Sequence, residues 1–263
     1  MTHLDSFSGQ VLFVGAGPGD PELITVKGLK ALQQAEVVVY AGSLVNPELL
    51  EECPAGCEIH DSAPLNLDQV LEILISGCRA KKKVIRQHTG DPALYGAIQE
   101  QMEALDREGI GYAVIPGVTA TFAAAASLKQ ELTLPGVSQT LCLTRLAGRT
   151  PVPETEQLQR LAANGGTLCL YLSVGMMEKL VAELLAGGVF TEQTPVAVVY
   201  RASWPDEKTV EGTLADIAQQ VAEAGITRQA LVLVGEVLNA RNTGVPEKSK
   251  LYDANFSHGY RKT

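Results

Sequence analysis

The 263-residue sequence is poor in aromatic residues, at 5%, and holds one tryptophan. It is also short of positive charge, with 21 Lys and Arg against 30 Asp and Glu and a formal net charge of −9. A general nucleic-acid binder needs a basic face to neutralise phosphates, so this balance argues against that class. It leaves room for an anionic small molecule, since the basic side chains can still line a local pocket. No apolar run approaches the ~20 residues that span a bilayer. The opening MTHLDSFSGQ has neither the basic region nor the apolar stretch of a signal peptide. No membrane segment and a cytoplasmic location are therefore expected. The cysteines (Cys53, Cys57, Cys78, Cys142, Cys169) are odd in number and scattered, which favours free thiols over a disulfide framework. Cys53 and Cys57 stand four apart with no second pair to complete a zinc site. His3, His60, His88 and His258 show no ligand spacing either, so no metal is expected.

What is present is a chain 46% hydrophobic and 19% charged, the balance of a globular protein with a core. Its first half alternates short apolar runs (11–14, 36–40, 58–60, 82–87, 112–116) with helical patterns (25–34, a shorter one including 47–53, 67–80, and 94–109). In residues 67–80, Val70, Leu71, Leu74 and Ile75 recur at helical spacing. Strands separated by helices imply βαβ units and a parallel sheet. A small-residue segment, ATFAAAASLK, reads as a close-packing helix, and then the texture changes. Five strand candidates (140–146, 167–173, 194–203, 208–214, 229–238) follow with two clear helices, 175–187 and 213–224. The turn-forming SWPDE between two of those strands points to an antiparallel part. The expected fold is α/β in two domains, 1–116 with a largely parallel sheet and 117–241 with a mixed one. A polar tail, 242–263, follows, and the active site is expected in the cleft between the domains.

The stretch VLFVGAGPGDPEL (11–23) resembles the opening of a dinucleotide fold, but its details differ. In G-x-G-x-x-G the third glycine opens the helix that meets the pyrophosphate; here that position is Asp20. Asp20 and Glu22 would repel a phosphate, and Pro18 and Pro21 lack backbone N–H donors. No acidic residue follows the second strand to grip a ribose. The loop is either a tight turn with Asp20 capping the next helix, or part of a site for something other than phosphate. Three further Gly-, Pro- and Thr-rich loops (88–96, 115–126, 200–214) each follow an expected strand. In an open α/β sheet such loops converge at the carboxyl ends of the strands, where ligands bind.

Together these loops resemble the tetrapyrrole (corrin and porphyrin) methyltransferases. The resemblance runs from about residue 10 to 240 and rests on VGAGPGDPELITVKGL, TGDPALYG, PGVTATFAAAA and TPVAVVYRASWPDEKTVEGTLADI in that order. Within the family, VVYAGSLV and LTRLAGRTPVPE are similar to the branch that methylates precorrin-4 at ring carbon C-11 in cobalamin biosynthesis. Members that methylate uroporphyrinogen carry an Asp after the tyrosine of the second strand, where this chain has Ala41 and Gly42. The lysine those members place after the third strand is replaced by HDSAP (60–64). Alternatives are methylation of another corrin carbon, a nucleotide-dependent oxidoreductase, and a tetrapyrrole-binding protein without catalysis.

The resemblance implies S-adenosylmethionine as methyl donor, bound through Pro18, Thr89, Gly90, Asp91, Leu94, Thr119, Ala120, Leu172 and Ala202. Asp91 lies either near the amino-acid end of the cofactor or caps its own loop. The resemblance also implies a homodimer. Methyl displacement from a sulfonium needs alignment and a dry site rather than a metal or a covalent intermediate. No catalytic base stands out; Tyr95 and Tyr112 are the candidates. An anionic tetrapyrrole calls for basic side chains, and Arg145, Arg149, Arg86 and Arg201 are the candidates for its carboxylates. GRTPVPE (148–154) is expected as a loop, and Trp204 as a packing residue.

Overall fold

The computed structural model describes residues 7–42, 44–244, 247 and 249–262. The first half runs β1 (Val11–Gly15), α1 (Val26–Leu32), β2 (Val37–Tyr40), β3 (Glu58–Asp61), α2 (Leu67–Arg79), β4 (Val84–His88), α3 (Ile98–Arg107) and β5 (Tyr112–Ile115). The five strands form one parallel sheet in the order β3-β2-β4-β1-β5. Side chains alternate across it. Leu12, Val14, Val38 and Ile85 pack with Ala31 and Leu32 of α1. Val11, Phe13, Val39 and Val84 pack on the other face with Val70, Leu74 and Leu105 of α2 and α3. With helices on both faces the central strands are apolar throughout, and each fully buried aliphatic side chain contributes roughly 1.5–3 kcal/mol.

The helices start where the sequence supplies caps. Thr25 Oγ1 accepts from Gly28 N at 3.1 Å ahead of α1. Asn66 and Gln69 form a reciprocal capping box ahead of α2. Strand order then fixes the ligand-binding edge. From β1 the chain leaves through α1 toward β2, and from β4 it leaves through α3 in the opposite direction toward β5. The neighbouring carboxyl ends of β1 and β4 are thus a topological switch point, the place where open α/β sheets bind ligands.

The second half runs α4 (Ala120–Ser127), β6 (Leu141–Arg145), α5 (Leu158–Ala162), β7 (Thr167–Tyr171), α6 (Met177–Ala186), β8 (Pro195–Tyr200), β9 (Lys208–Thr213), α7 (Ile217–Glu223), β10 (Ala230–Val234) and α8 (Ala240–Thr243). Its sheet has the order β6-β7-β10-β8-β9. Only β6 and β7 are parallel; the other pairings are antiparallel. Its core joins Leu168, Leu170, Val196, Val198, Val232 and Val234 of the sheet to Leu180, Leu184 and Ile217 of the helices.

The α/β class and the two sheet types agree with the sequence expectation; several local assignments do not. Residues 94–97 do not begin α3, because Tyr95 and Ala97 adopt left-handed φ values of 57° and 49°. PELLEE (47–52) is a 3₁₀ segment, and α5 had no counterpart among the expected helices. The chain also divides differently. Residues 1–123 and 202–206 form one compact unit, 124–201 and 207–263 the other. Residues 117–119 stay with the first sheet because Gly117 N donates to Asp91 at 2.9 Å. The segment 202–206 joins the same unit through Ser203 and Trp204, which bond to the first glycine loop. The tail beyond residue 241 groups with the second unit; residues 245, 246, 248 and 263 lie outside the described set.

Candidate active site

At the switch point the loops after β1, β4 and β5 are tied to one another by backbone. Gly17 and Gly90 exchange hydrogen bonds, Gly17 N to Gly90 O at 3.3 Å and Gly90 N to Gly17 O at 2.8 Å. Gly15 and Gly117 let these backbones meet, since a Cβ on Gly117 would fall 2.1 Å from Gly90 O. Asp91 completes the tie. Its Oδ1 accepts from Ala93 N at 2.8 Å and its Oδ2 from Gly117 N at 2.9 Å. Of the two roles left open for Asp91, the capping of its own loop is present, extended to the loop after β5. Pro18, Thr89, Gly90, Asp91, Leu94 and Thr119 belong to these three loops, Ala120 opens α4 directly after the third, and Ala202 is buried in the same unit. Leu172 lies in the second unit, directly after β7, with φ 54° and 69% of its surface exposed. An apolar residue held left-handed and in solvent carries backbone strain, of the kind that gathers at ligand contacts.

The glycine loop has a support that sequence reasoning missed. Asp20 N donates to Ser203 Oγ at 3.0 Å, and Asn46 Nδ2 donates to Gly19 O at 2.9 Å. Trp204, expected as a packing residue, donates its Nε1–H to Pro18 O at 3.0 Å. Its isolation in the sequence, two residues beyond Ala202, was the one available signal. Asp20 caps the short 3₁₀ turn beginning at Pro21, its Oδ1 accepting from Glu22 N at 2.9 Å. Backbone groups and small side chains fit a cofactor held through neutral and cationic groups.

The other candidates fall elsewhere. Tyr112 opens β5 beside Val11, at the strands' amino ends and so at the edge opposite the loops. Its hydroxyl donates to Asp106 Oδ2 at 3.0 Å. Tyr95 stands at the carboxyl edge, 45% exposed. Arg86 is buried, 7% exposed, and bonded to protein acceptors. Arg145, at the end of β6, donates to Thr150 O at 3.1 Å and Pro151 O at 2.7 Å, holding the loop 148–153. Arg149 lies exposed on that loop, and Arg201 is half-buried with φ 47° just after β8. None of the five cysteines is in a disulfide, and burial pushes Cys57 up to about 12. Among the described residues, no group of three His, Cys, Asp or Glu side chains is arranged for a metal. No helix among them is long and apolar enough to cross a membrane.

Residues 10–218, most of the chain, match the family described as tetrapyrrole (corrin/porphyrin) methylases. The chain belongs to that family. It is 54% identical over 254 residues to the cobalt-precorrin-4 C(11)-methyltransferase of Methanocaldococcus jannaschii, covering 97% of this chain and 96% of that protein. Against the precorrin-4 C(11)-methyltransferase of Pseudomonas aeruginosa it is 51% identical, over 95% of this chain and 98% of that one. The solved structure of a cobalamin biosynthetic enzyme, cobalt precorrin-4 methyltransferase, superposes with a TM-score of 0.86 at 47% identity. The match covers 90% of this chain and 98% of that one. Uroporphyrin-III C-methyl transferase from Thermus thermophilus, solved with S-adenosyl homocysteine, gives a TM-score of 0.74 at 30% identity, covering 88% and 94%. Methylase family membership places the switch-point loops in a methyl-transferring enzyme.

Proposed function

We propose that the protein methylates precorrin-4, or its cobalt complex, at C-11 with S-adenosylmethionine as donor, a step of cobalamin biosynthesis. The observation that carries this is the 54% and 51% identity, over nearly the whole chain, to enzymes of that activity. A relative named uroporphyrinogen-III C-methyltransferase reaches only 34%. The replacement of the uroporphyrinogen-type residues by Ala41–Gly42 and by residues 60–64 supports the same reading. The cobalt-bound and metal-free names occur at similar identity, so the metal state is left to the assay.

When bound, S-adenosylmethionine supplies a methyl group activated on a sulfonium. The chain's own part is to hold and align. Gly17, Gly90, Asp91 and Gly117 lock three loops into one rigid edge, and Ser203 and Trp204 fix the first of them. Pre-ordering of this kind lowers the entropic cost of bringing ring carbon and methyl into line. We further propose a cytoplasmic homodimer acting on an anionic precorrin; sedimentation of the purified protein measures the assembly.

The test is a methyl-transfer assay read by mass spectrometry, offering uroporphyrinogen III, precorrin-4 and cobalt-precorrin-4 separately. One added methyl on a precorrin-4 species alone is the expected result. Transfer to uroporphyrinogen, or to none of the three, overturns the proposal.

A further inference from the structure

Arg86, in the middle of β4, and His88, its last residue, stand two apart and so on the same face of the strand. Arg86 is a buried cation with neutral protein partners. Nε donates to Gln101 Oε1 at 3.2 Å, and Nη1 to Val39 O and Ser62 Oγ at 3.1 Å and to Gln87 O at 3.5 Å. Nη2 takes part in none of these bonds, and none of the ion pairs among the described residues involves Arg86. Asp61, the residue before Ser62, directs its Oδ1 instead to the N–H groups of Gly42 and Ala63. Burial lowers the guanidinium to about 10, which leaves it charged at neutral pH. A charge in the interior among neutral acceptors alone is costly, and an anion brought to it offsets that cost. His88 is 5% exposed, and its Nε2 meets no protein partner. Burial and the neighbouring Arg86 hold the imidazole neutral.

We propose that Arg86, with His88 beside it, forms a subsite for a carboxylate side chain of the tetrapyrrole. The inference rests on the function proposed above and deepens it. A carboxylate can also come from the methionine end of S-adenosylmethionine, and position decides between the two sources. The guanidinium leans toward β2 and the end of β3, where Val39 and Ser62 lie. The loops that carry the cofactor motifs are tied across β1, β4 and β5. The guanidinium thus lies to the other side of β4, while His88 directly precedes Thr89 of the cofactor loop. A guanidinium matches a carboxylate by charge and planar geometry, and the neutral imidazole can donate one ring N–H without adding charge.

The experiment compares wild type, Arg86→Gln and Arg86→Lys. Precorrin-4 kinetics and S-adenosylhomocysteine affinity by calorimetry are measured on each. For Arg86→Gln, KM for precorrin-4 rises roughly tenfold to a hundredfold, the loss expected for a charged hydrogen bond. Its S-adenosylhomocysteine affinity stays within twofold, and Arg86→Lys recovers part of the KM. Because a buried variant can fail to fold, wild type carries a second readout. With S-adenosylhomocysteine bound, adding precorrin-4 shifts the side-chain NMR signals of Arg86 and His88. An unchanged KM in folded Arg86→Gln, a parallel loss of S-adenosylhomocysteine affinity, or wild-type signals that do not move would each overturn the subsite. Failure of wild type to methylate any precorrin-4 species overturns the proposed function instead, a result visible before any variant is made.

Discussion

Trp204 donates its indole N–H to the carbonyl of Pro18 at 3.0 Å, joining two residues 186 positions apart. Next to that bond, a Cβ placed on Gly19 would fall 2.1 Å from Trp204 Cδ1, so only glycine admits the indole there. Gly19→Ala should displace the ring, shift the emission of this single tryptophan to the red, and cost about 1–3 kcal/mol by overpacking. Fluorescence with thermal unfolding measures both. Unchanged emission in the variant would show that the loop and indole are not held together.

Asp91 ties the loop after β4 to the loop after β5 through Ala93 N and Gly117 N. Each of these is a charge-assisted bond worth about 1.5–3 kcal/mol. Asp91→Ala should lower S-adenosylhomocysteine affinity by roughly tenfold or more, since each lost bond is of that size. Asp91→Asn, keeping one carbonyl acceptor, should fall between. Calorimetry decides; equal affinities in all three proteins would remove Asp91 from the cofactor site.

Gln87 is 0% exposed, and neither end of its amide has a protein partner. It stands in register with Val14 and Tyr40 in the middle of the parallel sheet. A buried polar group left unmet costs about 1–3 kcal/mol, whereas an apolar group of similar shape does not. Gln87→Leu should therefore raise stability by about that amount, seen as a higher urea midpoint. A lower midpoint would mean that the amide is satisfied in solution.

His88 has its pKa lowered from 6.5 to about 3 by burial and by Arg86. Between those values the unfolded chain binds a proton that the folded chain does not, so stability falls as pH falls through that window. The slope from this one group approaches ~1.4 kcal/mol per pH unit. Urea midpoints taken from pH 7 to pH 4.5 should decline less steeply in His88→Gln than in wild type. Parallel declines would place the imidazole in water.

Much of the fold was legible because its signals are local. The alternation of apolar runs with helical spacing, as at Val70, Leu71, Leu74 and Ile75, is set by the periods of strand and helix. Glycine loops after strands locate the carboxyl edge for the same reason, and both sheet types were visible in the texture of the two halves. What failed locally was also informative. The left-handed turn at Tyr95 and Ala97 interrupts a pattern that is helical by composition, and the 3₁₀ segment 47–52 looks like an ordinary helix start.

The site residues divide along the same line. By itself the sequence determined that the chain has two α/β sheets and which loops carry the family's motifs. Those properties depend on residue type and on spacing within about thirty positions. Only the tertiary structure decided that Trp204 supports Pro18, that Asp91 binds Gly117, and that Tyr112 stands at the amino edge of the sheet. It also decided that Arg86 lies inside, with Val39, Ser62 and Gln101 as partners. An arginine looks the same in sequence whether solvated or buried. Its role depends on which acceptors the folded strands bring to it, and strand order is a property of the whole sheet.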